Sequence, residues 1–293
     1  MRSDACVMRQ IIDYATNDER IKAVYLNGSR TNINAPSDIF RDFDIVYVVD
    51  EIKPFIEDKA WIDNFGEILI MQEPEYNDKW LGREVDFDSR YAYLMLFSDG
   101  IRIDLSFQSI SFAKKAILED KLVMKLLDKG QVLPSLDRPT DIQYHVKKPS
   151  EAQFITRAND FWWCMQNIAK GLYRDEIPYA MGMYSLVRKH LEVLLDWYIG
   201  MKNDFGVSTG KMHKYYKRCL DKSIYQRYLL TYPEAKIEAI WDSIFVCADL
   251  FGEVARNVSE ELGINYKVEE EKAMLKYLSV VKNLDKDAVD IIP

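Results

Sequence analysis

The feature that most constrains this chain is a change of hydrophobic period near its middle. Short apolar runs separated by polar turns fill the first part, whereas apolar residues recur at helical spacing almost throughout the chain beyond Ser150. The stretch 133–149 between them contains three prolines and no sustained period. The pattern therefore predicts an α+β protein with two domains, a mixed-sheet domain over 1–148 and an all-α helical bundle over 149–293.

The apolar runs of the first half are of strand length, and Ser98-Asp99-Gly100 between the last two has the composition of a hairpin turn. Strands are predicted at Ile21–Leu26, Ile45–Val49, Glu67–Met71, Tyr91–Phe97 and Ile101–Phe107. Helices are predicted over 5–16, 51–64 and 111–128 in the first half, and over 150–173, 178–201, 211–230, 234–260 and 267–283 in the second.

Composition excludes several classes of protein. With 293 residues, 48% of them hydrophobic, the chain can bury a sizeable core without disulfides. The four cysteines form no C-x-x-C pair, which favours a reducing, cytoplasmic location, and we expect neither a signal peptide nor a membrane span. The net charge of −8 disfavours nucleic acid as a partner and suits a small cation. Composition does not indicate an oligomeric state.

Three aspartates carry the clearest chemical signal. Asp42 and Asp44 precede and enter a β-branched run, and side chains at i and i+2 of an extended segment share one face. Asp104 interrupts the apolar strand Ile101–Phe107 on its polar face. Each feature alone is typical of a solvated strand end. On neighbouring strands, however, the three carboxylates would form a two-metal site of the kind that magnesium prefers.

A turn-like segment, Gly28-Ser29-Arg30, follows the first predicted strand directly. A glycine at this place lets the main chain approach a phosphate, and the following amides and hydroxyl can donate to phosphate oxygens. Such a segment alone is most often a plain turn. Together with the three aspartates, it indicates a nucleotide site.

These residues resemble the signature of the polymerase-beta-like nucleotidyltransferases and, within that superfamily, the aminoglycoside 6-adenylyltransferases, also called streptomycin adenylyltransferases. The resemblance extends nearly from end to end. In the first half it rests on Leu26-Asn27-Gly28-Ser29-Arg30-Thr31-Asn32, Arg41-Asp42-Phe43-Asp44-Ile45, Ile103-Asp104-Leu105 and Leu127-Asp128-Lys129. In the second half it rests on Lys148-Pro149-Ser150, Asn159-Asp160-Phe161-Trp162, Lys170-Gly171-Leu172 and Gly210-Lys211.

The resemblance implies transfer of AMP from ATP to a hydroxyl of streptomycin, with release of pyrophosphate. Asp42 and Asp44 would then bind two Mg²⁺ ions, and Asp104 would bind the ion that activates the acceptor hydroxyl. The triphosphate would be held by Gly28, Ser29 and Arg30. Such chemistry depends on positioning and on neutralising charge.

Two further residues follow from the resemblance in the helical half. Asp160 is a candidate general base, although a longer Glu is expected there in relatives, and the alternative is a structural carboxylate beside Trp162 and Trp163. Glu151 is better explained by compensation of the helix dipole. Lys211, after Gly210, is a candidate nucleotide contact, with a basic solvated turn as the alternative.

An acidic segment offers carboxylates for a substrate that carries guanidinium groups, namely Glu84, Asp86 and Asp88. The alternative is a solvated charge run. Two other functions stay open: a nucleotidyltransferase of the same fold with a different acceptor, and a catalytically silent nucleotide-binding protein. The complete set of three aspartates disfavours the silent protein, because facing carboxylates are costly to maintain.

Overall fold

The chain forms two compact units in the computed structural model, which describes residues 1–291. The first unit is Met1–Gln143, and the second starts at Tyr144, a few residues before the boundary expected from the sequence. All six strands belong to the first unit, and the second is helical over its described length. The predicted α+β class is confirmed.

The first unit is a six-stranded mixed sheet with short helices. Its strands are β1 (Ile21–Asn27), β2 (Phe43–Val49), β3 (Ile68–Gln72), β4 (Arg90–Phe97), β5 (Arg102–Ser109) and β6 (Val123–Asp128). Its α-helices are α1 (Asp4–Asn17), α2 (Lys53–Glu57), α3 (Pro74–Trp80) and α4 (Ile110–Glu119). The turns Gly28–Thr31 and Ala60–Phe65 are 3₁₀ helices.

The strand order is β3-β4-β5-β2-β1-β6. Only β2 and β5 are paired in parallel among the described strands, while every other neighbouring pair is antiparallel. Parallel neighbours begin at the same edge of a sheet. The start of β2, with its acidic pair, therefore lies beside the start of β5.

The two faces of this sheet are covered differently. Phe43, Ile45 and Tyr47 of β2 point into a large core that α1 and the aromatic side chains of residues 55–65 complete. Val46 and Val48 point to the opposite face, where they pack against Ala113 and Ile117 of α4. Asp44 shares the second face by alternation, so it lies on the same side of the sheet as α4.

Two helix predictions in this unit are wrong in part. The helix expected over 111–128 ends at Glu119, and Val123–Asp128 forms β6, which pairs with β1 at the sheet edge. The apolar pattern there suits either structure, and pairing with a distant strand decides between them. The helix expected over 51–64 is split into α2 and a 3₁₀ turn by a break at Asp58 and Lys59.

The second unit contains three long helices and several shorter ones. They are α5 (Glu151–Tyr173), α6 (Ile177–Lys202), α7 (Tyr216–Cys219), α8 (Lys222–Leu229), α9 (Ile237–Leu262) and α10 (Val268–Lys282). Ser150 caps α5 with a complete capping box, as its sequence position indicates. The core of this unit includes Phe161 of α5 stacked on Phe251 of α9, with ring centroids 3.6 Å apart.

The single helix expected over 211–230 is also wrong. A 3₁₀ turn (Lys211–His213), α7 and α8 occupy this stretch instead. Met212 and His213 both have positive φ angles, which an α-helix does not tolerate. No helix within residues 1–291 combines the length and the apolar character needed to cross a bilayer.

Candidate active site

The three predicted aspartates converge on one face of the sheet. The parallel register of β2 and β5 places Asp44 directly opposite Asp104, so both side chains point the same way. Asp42 lies two residues before Asp44 with the buried Phe43 between them, and it therefore shares that face. The expectation that Asp42 and Asp44 lie on a strand next to that of Asp104 agrees with this register.

Burial and like charges act together at Asp44. The pKa of its carboxyl is raised to about 6, first by burial and then by the negative charges of Asp104 and Asp42, whereas Arg102 and Arg30 oppose the shift. A carboxyl that is buried and faces other carboxylates is poised to accept a cation. The electrostatics of this face therefore favour binding of positive charge.

Arg102 supplies part of that charge. Its Nε and Nη2 donate to Oδ1 and Oδ2 of Asp104 over 2.8 and 2.7 Å, and its Nη1 lies 3.6 Å from Oδ2 of Asp42. The guanidinium group thus bridges two of the three aspartates. The arginine lies two residues before Asp104 on the same strand, which is the R-x-D spacing that could have indicated this contact in the sequence.

The donor set has the oxygen chemistry that a divalent cation requires. Across residues 1–291, however, no three Asp, Glu, His or Cys side chains are gathered closely enough to hold a metal ion. The guanidinium group of Arg102 engages Asp104 and Asp42 instead. The carboxylates fit magnesium in ligand type and share one face of the sheet, so holding the ion requires that they draw together and that Arg102 releases them.

Gly28 lies against Asp44 at the end of β1. Asn27 is paired with Asp44 in the antiparallel register, and the backbone of Gly28 has a φ of +72°. A Cβ atom at position 28 would collide with Oδ2 of Asp44. Both the turn and the close approach therefore require glycine, and they place the main chain of the Gly28–Thr31 turn beside the carboxylates.

Arg30 holds the main chain of the acidic segment in place. Its Nε donates to the carbonyl oxygen of Asp42 and its Nη2 to that of Arg41, each over 2.8 Å, while Nη1 and Nη2 also contact Asp4. The guanidinium group lies 3.5 Å from the ring centre of Phe43. The side chain is 9% exposed, so its contacts favour positioning of the acidic segment over direct contact with a phosphate.

Ser29 and Arg41 complete the turn. The Nη2 group of Arg41 donates to the carbonyl oxygen of Ser29 over 2.8 Å. Asn32, just beyond the turn, donates through its side-chain amide to Asp141, which is buried. Asp141 follows the last strand by more than ten residues and was not identified from the sequence, since no local pattern links it to this turn.

The acidic loop lies away from the three aspartates. Glu84, Asp86 and Asp88 are exposed and precede β4. The start of β4 is paired with residue 108 of β5, four positions from Asp104, which is roughly 13 Å along the strand. Oδ1 of Asp86 accepts the main-chain N–H groups of residues 88 and 89, so it also shapes its own turn.

The two candidates from the helical half lie in the second unit. Asp160 of α5 is half-buried and lines a cavity of about 320 Å³ together with Arg157 and Trp197. Lys211 is exposed and follows Gly210, whose φ is +75°. His213, two residues further on, contacts Asp196 and anchors this loop to α6. The roles of Asp160 and Lys211 stay predictions.

Comparison with known proteins gives a consistent result. The family profile described as streptomycin adenylyltransferase matches residues 1–281. An aminoglycoside 6-adenylyltransferase of Campylobacter jejuni is 38% identical over 273 residues, covering 93% of each chain. One of Bacillus subtilis is 35% identical over 268 residues, covering 91% of this chain and 93% of the relative.

A solved structure is also similar. The crystal structure of an aminoglycoside 6-adenyltransferase from Bacillus subtilis is 29% identical in sequence, covers 97% of this chain and 100% of its own, and has a TM-score of 0.48. The family profile and the sequence relatives each cover more than nine-tenths of this chain. The chain therefore belongs to the streptomycin adenylyltransferase family and is an enzyme of the nucleotidyltransferase class.

Proposed function

We propose that the enzyme transfers AMP from ATP to a hydroxyl of streptomycin and releases pyrophosphate. Relatives named aminoglycoside 6-adenylyltransferase support adenylylation of an aminoglycoside. The observation that carries the proposal is the register that aligns Asp44 with Asp104 beside the glycine turn. This arrangement combines a main-chain turn that a phosphate can approach with facing carboxylates that can bind metal ions. Transfer of a nucleotidyl group requires both.

Nucleotidyltransferases of this kind use ATP and a divalent metal. We assign two magnesium ions to Asp42 and Asp44, with Asp104 as a ligand of the ion nearest the acceptor. Bound there, magnesium would neutralise the charge that develops on the phosphates and favour deprotonation of the acceptor hydroxyl. The raised pKa of Asp44 is consistent with this assignment, because a nearby cation favours the ionised carboxylate.

The chain's own residues supply the positioning. The turn Gly28–Thr31 provides main-chain amides and the Ser29 hydroxyl for the phosphates, since the absence of a Cβ at residue 28 leaves the approach open. Arg30 holds the main chain of Asp42 from the side and thereby fixes the acidic pair. Asp160 is our candidate for the base, and Lys211 is our candidate for a further nucleotide contact.

The acceptor is cationic in this proposal, and the acidic loop at Glu84, Asp86 and Asp88 is our candidate for binding its guanidinium groups. We place the reaction in the cytoplasm. The four cysteines are unpaired, and Cys247 is buried as a thiol, which is the usual state in a reducing compartment.

Mass spectrometry of the reaction products tests this function. The purified chain is incubated with ATP, MgCl₂ and, in separate reactions, streptomycin and several aminoglycosides without guanidinium groups. The expected result is an added AMP on streptomycin together with pyrophosphate release. AMP transfer to another aminoglycoside but not to streptomycin would show that the acceptor is that aminoglycoside, and no transfer to any of them would favour an acceptor of another class.

A further inference from the structure

Arg102 makes an unusually complete contact with residues that we propose as metal ligands. Both oxygens of Asp104 accept from its guanidinium group in a fork, and the remaining terminal nitrogen faces Asp42. The side chain of Asp104 is 18% exposed, whereas that of Arg102 is 46% exposed. The arginine therefore covers the carboxylate from the solvent side of the sheet.

This contact competes with any ion at the same carboxylates. A divalent cation needs the oxygen lone pairs that now accept from Arg102, and it is repelled by a guanidinium charge at hydrogen-bond distance. The guanidinium group of Arg102 and a divalent ion therefore cannot both engage the two oxygens of Asp104 at the same time. Binding of the ion requires that Arg102 withdraws at least one arm of its fork.

The fold provides a place for the withdrawn side chain. A cavity of about 480 Å³ lies next to Arg102, on the face formed by β3, β4 and β5. Leu94 and Leu96 of β4 line it, and the register pairs Leu96 with Arg102 and Leu94 with Asp104. An arginine stem packs well on such apolar side chains while its charged end stays in water.

We propose that Arg102 is a resident counter-cation that exchanges with the divalent ion. In the metal-free enzyme it holds Asp42 and Asp104 in place against their mutual repulsion, and it lowers the affinity of the site for a free ion. On exchange, its side chain moves over Leu94 and Leu96. This inference rests on the proposed metal-dependent function, and it makes Arg102 a regulator of metal loading rather than a ligand.

The direct test is Mn²⁺ binding without nucleotide, measured by electron paramagnetic resonance of the free ion. Arg102→Met keeps the apolar stem and removes the charge, and Arg102→Lys keeps the charge and removes the fork. Arg90→Met is the matched control, because Arg90 lies on the same face of the sheet and pairs with Glu75 instead. We expect roughly tenfold tighter Mn²⁺ binding for Arg102→Met, a smaller gain for Arg102→Lys and no change for Arg90→Met.

Thermal unfolding provides a second readout. Without metal, Arg102→Met should unfold at a lower temperature than the wild type, because three carboxylates then lose their counter-charge. Added Mn²⁺ should raise the Tm of Arg102→Met more than that of the wild type, since tighter binding to the folded state stabilises it further.

Equal Mn²⁺ affinity in Arg102→Met and wild type would overturn the exchange, and weaker affinity would also overturn it by showing that Arg102 helps to build the site. If the wild type adenylylates streptomycin while either result is found, the inference fails and the proposed function stands. Absence of Mn²⁺ binding in every protein, with transfer also absent, would overturn both.

Discussion

Two acidic clusters in this protein are built in opposite ways. On the sheet face of the first unit, three aspartates are grouped with Arg102, and the pKa of Asp44 is raised to about 6. On α6 of the second unit, Glu192 and Asp196 are each surrounded by donors. The difference separates an acidic cluster with surplus negative charge from one whose charge is matched.

The matched cluster is bound on several sides. Arg188 donates to Glu192 over 3.2 Å and lies 3.4 Å from the ring centre of Tyr232. The hydroxyl of Tyr228 donates to Glu192 over 2.9 Å, and that of Tyr216 donates to Asp196 over 2.8 Å. Such a network stabilises the fold, whereas surplus negative charge costs stability and is retained where a ligand supplies the missing cation.

The largest expected effect breaks the surplus cluster. Asp44→Asn should reduce the rate of AMP transfer by roughly a thousandfold or more. It removes a proposed metal ligand, and with it much of the electrostatic stabilisation of the transferring phosphate. It should leave the Tm unchanged or raise it, since a half-buried charge facing two others is removed. Steady-state kinetics and thermal unfolding of the same preparation measure both.

A loss of Tm in Asp44→Asn would contradict the contrast between the clusters, and near-normal turnover would contradict the metal assignment. Asp50→Asn serves as the control. Asp50 follows β2, is exposed and pairs with Lys22, so its loss changes the net charge equally at a place without surplus charge.

The next effect breaks the matched cluster. Arg188→Met should lower the free energy of unfolding by about 1.5–3 kcal/mol, because it leaves the largely buried Glu192 without its arginine partner. Urea titration followed by circular dichroism measures the loss. Lys236→Met is the control, since its pair with Glu234 is exposed and contributes little. Equal losses in the two variants would show that the cluster on α6 does not stabilise the fold.

The contrast between the clusters was only partly visible in the sequence. The D-x-D spacing and the polar face of the strand with Asp104 predicted convergence, because alternation and strand length are local properties. The R-x-D spacing puts Arg102 on the same face as Asp104, but bridging to Asp42 as well depends on the conformation of one side chain. The cluster on α6 was missed, since Tyr216 and Tyr228 come from other helices that fold back on it.

The secondary structure was likewise predictable where local sequence signals decide it and was missed where distant contacts do. Long elements with an uninterrupted period, such as α5 and α9, agree with the prediction to within a few residues. β6 was mistaken for helix because its pairing with β1 is non-local. The break at Met212 and His213 was missed because methionine does not signal a positive φ and a single histidine signals it only weakly.

A third prediction asks whether the exposed acids at 84, 86 and 88 form a cluster with surplus charge that binds substrate. If they pair with guanidinium groups, the triple change of Glu84→Gln, Asp86→Asn and Asp88→Asn should raise the KM for streptomycin roughly tenfold to a hundredfold. The KM for ATP should stay nearly constant. The wild-type KM for streptomycin should also rise with salt, since screening weakens exposed pairs.

An unchanged KM for streptomycin would make this segment a solvated turn, a role with which its exposure and the hydrogen bonds within the Asp86 turn are compatible. Glu234→Gln is a suitable control. Glu234 is also an exposed acid, and its partner Lys236 is as exposed as Glu234 itself.

The smallest expected effect is a pH dependence of stability in the matched cluster. The hydrogen bond to Asp196 raises the pKa of His213 above its ordinary value of 6.5, the charge of Glu192 adds to the rise, and burial and Arg188 oppose it. A raised pKa in the folded state means that folding favours the protonated ring. The contribution of the protonated His213 ring to stability is therefore fully present below pH 6.5 and is lost as the pH rises through the raised pKa.

The difference in Tm between the wild type and His213→Gln should accordingly be largest near pH 5.5 and shrink toward pH 8.5. His190, whose pKa burial lowers, is present in both proteins and cancels in this difference. A Tm difference that is constant with pH would show that His213 is held by packing on Tyr216, whose ring lies 4.9 Å away, rather than by the two carboxylates.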